Sequence, residues 1–207
     1  MKRDIILVLG KTGFGKSLWC KLFTRNNKRL LVFDPMASFD NVEWLKHEDI
    51  FDLFDEGAEG VIADKNFRLG AFEFESIDVF GSTAFVTGNN LLVIEEASQI
   101  FKKGQPLPDW TNRLVFMGRH EACSLLVTAQ RATSIPIDLR SQANRVISFR
   151  QTEKTDMVWL GEFFDKSELE DIKLLPPGVC LDFEKNTVKE VDINALVKQK
   201  FGIDIAA

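Results

Sequence analysis

The stretch Gly10-Lys-Thr-Gly-Phe-Gly-Lys-Ser17 constrains this chain more than any other. It follows a continuous apolar run, Ile5-Ile-Leu-Val-Leu, and precedes a segment with helical character from Lys16 to about Arg25. A buried strand, a glycine-rich turn and a helix, in that order, make a phosphate-binding loop. The glycines let backbone N–H groups turn inward around a β-phosphate. The helix N-terminus adds its partial positive charge. Residues Gly10, Lys11, Thr12, Gly13, Phe14, Gly15, Lys16, Ser17 and Leu18 are therefore the candidate nucleotide site. Lys16 is placed to bridge the β- and γ-phosphates, and Ser17 to ligate Mg²⁺. The loop alone does not say what the nucleotide is for: a switch, a kinase and a motor all use one.

The rest of the chain alternates strand and helix signals. LLVFD (30–34), LLVIEE (91–96) and SLLVTAQ (124–130) are apolar runs of the kind buried on both faces of a parallel sheet. VIAD (61–64) reads as a further short strand, and NRVISFR (144–150) as a strand with partial alternation. DWTNRLVFMGRH (109–120) predicts an amphipathic helix with Asp109 as its N-cap. Residues 153–174 predict two short helices split near Phe164–Asp165, and Pro176-Pro-Gly178 breaks the chain. VCLDFEKNTVKEVDI (179–193) predicts a hairpin turning at Lys185–Asn186, with a last helix over 194–201. The pattern predicts an α/β fold: a RecA/ASCE-like P-loop NTPase with a mostly parallel central sheet, flanking helices and a C-terminal β-hairpin. A chain of 207 residues, 45% hydrophobic, can bury one sizeable core. One ATPase domain over 1–207 is expected, with a core of about 1–150 and C-terminal helices and hairpin over 151–207.

Composition narrows the classes. No apolar run approaches the roughly 20 residues that cross a bilayer. The opening apolar run ends in the phosphate loop and not in a small-residue cleavage site, so it reads as the first strand of a cytoplasmic domain. Cys20, Cys123 and Cys180 are odd in number and form no CxxC pair, which predicts neither a disulfide framework nor a zinc site. His47 and His120 are isolated. A net charge of −5 argues against an all-over nucleic-acid coat, yet allows a local basic surface such as the inner wall of a ring.

Three further residues answer the phosphate loop. In LLVIEE, a Walker B candidate, Glu95 would hold Mg²⁺ through water. Glu96 would orient and deprotonate a water for attack on the γ-phosphate, which favours hydrolysis over transfer. The same two acids would also suit a helix N-terminus. Gln130 closes SLLVTAQ. If that strand lies between the first strand and Walker B, Gln130 faces the γ-phosphate; otherwise it is a polar residue ending a buried strand. A guanine-reading Asn-Lys-x-Asp is missing, since Asn27-Lys28-Arg29-Leu30 lacks the acid and lies too early in the chain, which argues against a GTPase switch. A small-molecule kinase would carry an arginine-bearing lid and would not need the second carboxylate.

Walker A, then LLVIEEA, then GRHEACSLLVTAQR, then LRSQANRVISFR together resemble the HerA–FtsK superfamily of ring-forming DNA-translocating ATPases, over roughly residues 5–150. The resemblance implies a homo-oligomer, typically a hexameric ring, with ATP at subunit interfaces, an arginine supplied in trans, and double-stranded DNA as the moving partner. Arg119 is the first candidate for that arginine, with Arg145 and Arg150 behind it; Arg119 also reads as a solvated residue near a helix C-terminus. Arg131 is read as orienting Gln130. Lys102, Lys103 and Gly104, after Walker B, would line the pore or simply form a solvated loop. Cellular HerA relatives carry a β-barrel, and FtsK relatives carry membrane and additional motor domains. A stripped motor of this size resembles the genome-packaging ATPases of membrane-containing icosahedral DNA viruses. That implies a capsid vertex or small viral membrane proteins as further partners, and the infected cell's cytoplasm or the virion's packaging vertex as location. Transfer of DNA in conjugation or filamentous-phage export is the alternative task. Two departures stand out: Glu95 where most of the superfamily has Asp, and Phe14 inside the loop, whose ring would pack at a subunit interface or on the core.

Overall fold

The computed structural model describes residues 3–50, 66–102 and 104–201. The expected strand at 61–64 and residue Lys103 lie outside them. The strands are β1 (Ile5–Leu9), β2 (Arg29–Phe33), β3 (Glu43–Trp44), β4 (Phe67–Ala71), β5 (Leu91–Ile94), β6 (Ser124–Ala129), β7 (Arg145–Ser148), β8 (Val179–Glu184) and β9 (Thr187–Asp192). They join in one sheet, ordered β3-β4-β2-β5-β6-β1-β7-β8-β9. From β3 to β7 every pairing is parallel; β8 and β9 add on antiparallel. The parallel part puts all its strand ends on one edge, and that edge carries Gly10, Asp34, Glu95, Gln130 and Phe149.

The helices are α1 (Lys16–Thr24), α2 (Ser76–Thr87), α3 (Ala97–Ile100), α4 (Asp109–Met117), α5 (Ile137–Ser141), α6 (Lys154–Leu160), α7 (Lys166–Leu174) and α8 (Ile193–Phe201). Because side chains alternate along a strand, each central strand feeds two cores. Ile5, Leu7, Leu9, Leu92, Ile94, Leu125 and Val127 pack with Phe80 of α2, Leu114 of α4, Leu160 of α6 and Ile172 of α7. Ile6, Val8, Leu91, Val93, Leu126 and Ile147 pack with Trp19 and Cys20 of α1 and with Ile193 and Val197 of α8. The alternation continues past the strand ends. Glu95 shares its parity with Leu91 and Val93, and Thr128 with Leu126, so both project on the side of α1.

The C-terminal hairpin turns at Lys185–Asn186, both at positive φ (52° and 60°), as a two-residue type I′ connection requires. Asp165 caps α7 in a reciprocal capping box with Glu168. The start of α4 differs from expectation. Pro108 is its N-cap, and Asp109 is its first helical residue. The Trp110 N–H is satisfied from outside, by Asp78 Oδ1 at 2.8 Å. The three cysteines are free and buried. Among the described residues no helix is long and apolar enough to cross a membrane.

Candidate active site

The phosphate loop is braced from behind. The Phe14 carbonyl accepts a hydrogen bond from Gly178 N–H (3.1 Å), and Gly178 carbonyl accepts from Ile193 N–H (2.8 Å). The breaker between α7 and β8 thus holds the loop against the core. The Phe14 ring, half-buried, packs on the cluster beside α1. Leu18 joins the same cluster. Lys11, Thr12 and Gly13 are exposed at the loop's rim. Gly15, at φ 104°, caps α1 in a left-handed conformation that favours glycine.

Gly10 is fixed by proximity. A Cβ there would lie 2.5 Å from Phe149 Cβ. Gly10→Ala is expected to force Phe149 or the loop aside, at about 1–3 kcal/mol. The predicted result is a thermal midpoint lower by about 5 °C together with loss of nucleotide binding, measured by melting and by titration with a fluorescent ATP analogue. Unchanged affinity would mean that the loop's shape does not depend on this contact.

Lys16 is 5% exposed; its ammonium donates to the Lys11 carbonyl (3.4 Å) and lies 3.8 Å from Glu96 Oε1. Ser17 Oγ donates to Glu95 Oε2 at 3.4 Å. Thr128, unremarked in the sequence, ties the two acids together. Its hydroxyl donates to Glu95 Oε2 (2.7 Å) and accepts from the Glu96 N–H (2.9 Å). Glu95 is 2% exposed, and its Oε1 is buried without a hydrogen-bond partner. Burial pushes the Glu95 carboxyl up to about 7; Asp34 and Glu96 add to the rise, while Thr128 and Lys16 oppose it. A buried carboxylate oxygen with no donor is costly, and a divalent cation would satisfy it. Glu95 and the Ser17 hydroxyl are oxygen donors of the kind Mg²⁺ takes. The residues fit the ion.

Asp34, buried beside Glu95 at the end of β2, is fully used by its own turn. Its oxygens accept from Met36 N, Ser38 N and Ser38 Oγ at 2.8–2.9 Å. Glu96 stands in the left-handed region (φ 50°, ψ 53°), a conformation costing a non-glycine residue about 1–2 kcal/mol. That backbone turns its carboxylate back over the sheet edge toward Lys16 and Gln130; Gln130 Nε2 lies 3.4 Å from Glu96 Oε2. β6 does lie between β5 and β1, as the γ-phosphate role of Gln130 requires. The Gln130 carbonyl is held by Gln151, 1% exposed, whose Nε2 donates at 2.7 Å.

The arginines sort differently from expectation. Arg131 does not orient Gln130. Its Nε pairs with Asp156 (3.0 Å, Asp156 fully buried), and its Nη2 reaches Thr155 and Glu153. Arg145 is locked by Asp182 (2.6 Å) and Glu184 (3.7 Å) and lies over the Phe23 ring, so it is a structural cation at the sheet's opposite edge. Arg150 follows β7 on the same edge as its own phosphate loop. Arg119 is exposed in the turn before β6, at the far edge. It lies near Arg3, whose guanidinium is pushed down chiefly by burial and further by Arg119. Lys102 and Gly104 are exposed after α3.

The sequence matches no family model, and no curated protein sequence matches it. Solved structures do. The genome packaging NTPase B204 from Sulfolobus turreted icosahedral virus 2, in complex with ATP-gammaS, superposes with a TM-score of 0.72 at 19% identity, over 92% of this chain and 98% of that one. The pCW3 conjugation coupling protein TcpA, with ATPgS, gives 0.58 at 16% identity, over 98% of this chain and 63% of that one. VirB4 of Thermoanaerobacter pseudethanolicus gives 0.65 at 11% identity, over 91% and 89%. The fold is that of these P-loop ATPases, the kind of protein that the motifs of the sequence resemble.

Proposed function

We propose that this chain is an Mg²⁺-dependent ATPase that works as a ring on double-stranded DNA and drives a viral genome into a preformed capsid. The observation that carries the ATPase reading is the partnerless, buried Glu95 Oε1 beside Ser17 and Lys16, with Glu96 one residue on. The DNA and packaging tasks are supported by the likeness to B204, which runs through nearly the whole of both chains. The likeness to TcpA supports DNA transfer as the second reading.

In this mechanism the loop N–H groups and Lys16 hold the β- and γ-phosphates. Ser17 and Glu95 would hold Mg²⁺, which when bound neutralises phosphate charge. Glu96 accepts the proton of the attacking water through its carboxylate. Gln130 donates to the γ-phosphate or the water, and passes the loss of phosphate to Gln151 through its own carbonyl. An arginine from the neighbouring subunit completes the charge stabilisation. Oligomerisation, the capsid vertex or viral membrane protein that docks the ring, and an infected-cell location belong to the same proposal.

The deciding experiment measures ATP turnover with and without long double-stranded DNA, at protein concentrations spanning assembly. Stimulation by DNA that rises steeply with concentration is expected. Turnover linear in protein and indifferent to DNA would overturn the motor and leave a self-contained enzyme.

A further inference from the structure

One cleft lies outside the nucleotide site but shares its edge. It has a volume of about 620 Å³ and is lined by Ser98, Phe101, Lys102, Arg131, Thr133, Ser134 and Thr155. Two cations and four hydroxyls face one hollow, with the Phe101 ring among them, and the exposed Glu153 carboxylate stands 3.8 Å from Arg131 Nη2. Its walls are the segments that follow the two catalytic strands: Ser98 comes two residues after Glu96, and Arg131 one after Gln130.

The cleft rests on a rigid base. Asp156 is wholly buried and accepts three hydrogen bonds, from Arg131 Nε (3.0 Å), Thr133 N–H (2.9 Å) and Thr133 Oγ1 (2.9 Å). It fixes the inner side of the Arg131 guanidinium and leaves that side chain 47% exposed. A held, half-exposed arginine with a lysine and hydroxyl donors opposite suits a row of phosphodiester oxygens. A single acidic side chain would pair with one cation; a polyanion would meet both.

We propose that this cleft seats the phosphodiester backbone of DNA. Occupancy then presses directly on the two segments that carry Glu96 and Gln130, which gives the DNA-stimulated turnover a physical route. The inference rests on the DNA reading above and adds to it the place of contact and the residues Arg131 and Thr155.

The test uses the full chain and a dye-labelled DNA duplex of random sequence, followed by anisotropy over a series of salt concentrations. Arg131 is left intact, since removing it would strand Asp156. Instead Lys102→Glu and Thr155→Glu are combined, reversing one cation and placing an anion against the other; Lys189→Glu, exposed on edge strand β9, is the control. Melting curves confirm that each variant folds. The double variant is expected to bind at least about tenfold more weakly near 0.1 M salt, with a log K–log salt slope shallower by about 2, and the control to bind as the parent does. Parent-like affinity and slope in the double variant overturn the cleft while leaving the DNA reading intact. An equal loss in Lys189→Glu also overturns it, since general charge would then explain the effect. A parent protein that hydrolyses ATP yet binds no duplex at low salt overturns both.

Discussion

Glu96→Gln is expected to bind ATP nearly as tightly as the parent and to turn it over about 100- to 10,000-fold more slowly. The substitution keeps size and hydrogen-bonding reach, so the left-handed backbone at residue 96 and its N–H bond to Thr128 (2.9 Å) are preserved. What it removes is the ability to accept a proton. The neighbouring acid cannot substitute. Glu95 points into the buried floor, with Oε2 committed to Thr128 and Ser17. Equilibrium titration with a fluorescent ATP analogue and single-turnover hydrolysis separate the two effects. A competing role is visible in the structure: Glu96 lies 3.8 Å from the Lys16 ammonium and could serve only to hold it. In that case Gln would weaken the pairing, and affinity would change more than the chemical step. Turnover within about threefold of the parent, with altered affinity, would assign Glu96 to Lys16 and send the search for the base elsewhere.

The parts of the site that could be read in advance are those encoded locally. A buried parallel strand must be apolar throughout, so β1, β5 and β6 announce themselves, and the residues just past their ends share one edge because the strands are parallel. Glu95, Glu96, Gln130 and the loop follow from that alone. The residues that were missed act across strands. Thr128 sits inside an apolar run, where its hydroxyl had to find partners, yet nothing local says that they are the two acids that follow β5. Gln151 and Asp156 are buried polar groups whose partners lie 21 and 25 residues away in the chain. β4 carries no such local signal, for a similar reason. Its Arg68 leaves the sheet to cap the end of α1, donating to the carbonyls of Thr24 and Asn27. Its Gly70 is small because the Trp44 ring occupies the space where a Cβ would go, 2.6 Å away. Neither residue suggests a strand until the end of α1 and the neighbouring strand β3 are in place.

The other large expected effect belongs to the arginine proposed to come from a neighbouring subunit. Arg119→Ala alone is expected to lower turnover about 1,000-fold. Arg119 lies before β6 and its own Gln130 after it. The six residues of that strand separate the two by about 20 Å, far more than an arginine side chain reaches. If Arg119 touches a γ-phosphate, it is a neighbour's. Arg145 is excluded by its pairing with Asp182 and Glu184. Arg150 shares the edge of its own loop and would act in cis. Mixing separates these cases. Arg119→Ala subunits keep a sound phosphate loop, and Lys16→Ala subunits keep a sound Arg119. In randomly mixed rings about a quarter of the head-to-tail interfaces then combine a sound loop with a sound arginine, and turnover returns toward that fraction. Arg150→Ala mixed with Lys16→Ala should recover nothing, because each subunit spoils its own site. No recovery in the first mixture, with mixed rings demonstrated by crosslinking, would remove Arg119 from the reaction. Recovery in the second would instead place Arg150 across the interface, and would require the ring to bring one subunit's nucleotide edge against the next subunit's nucleotide edge.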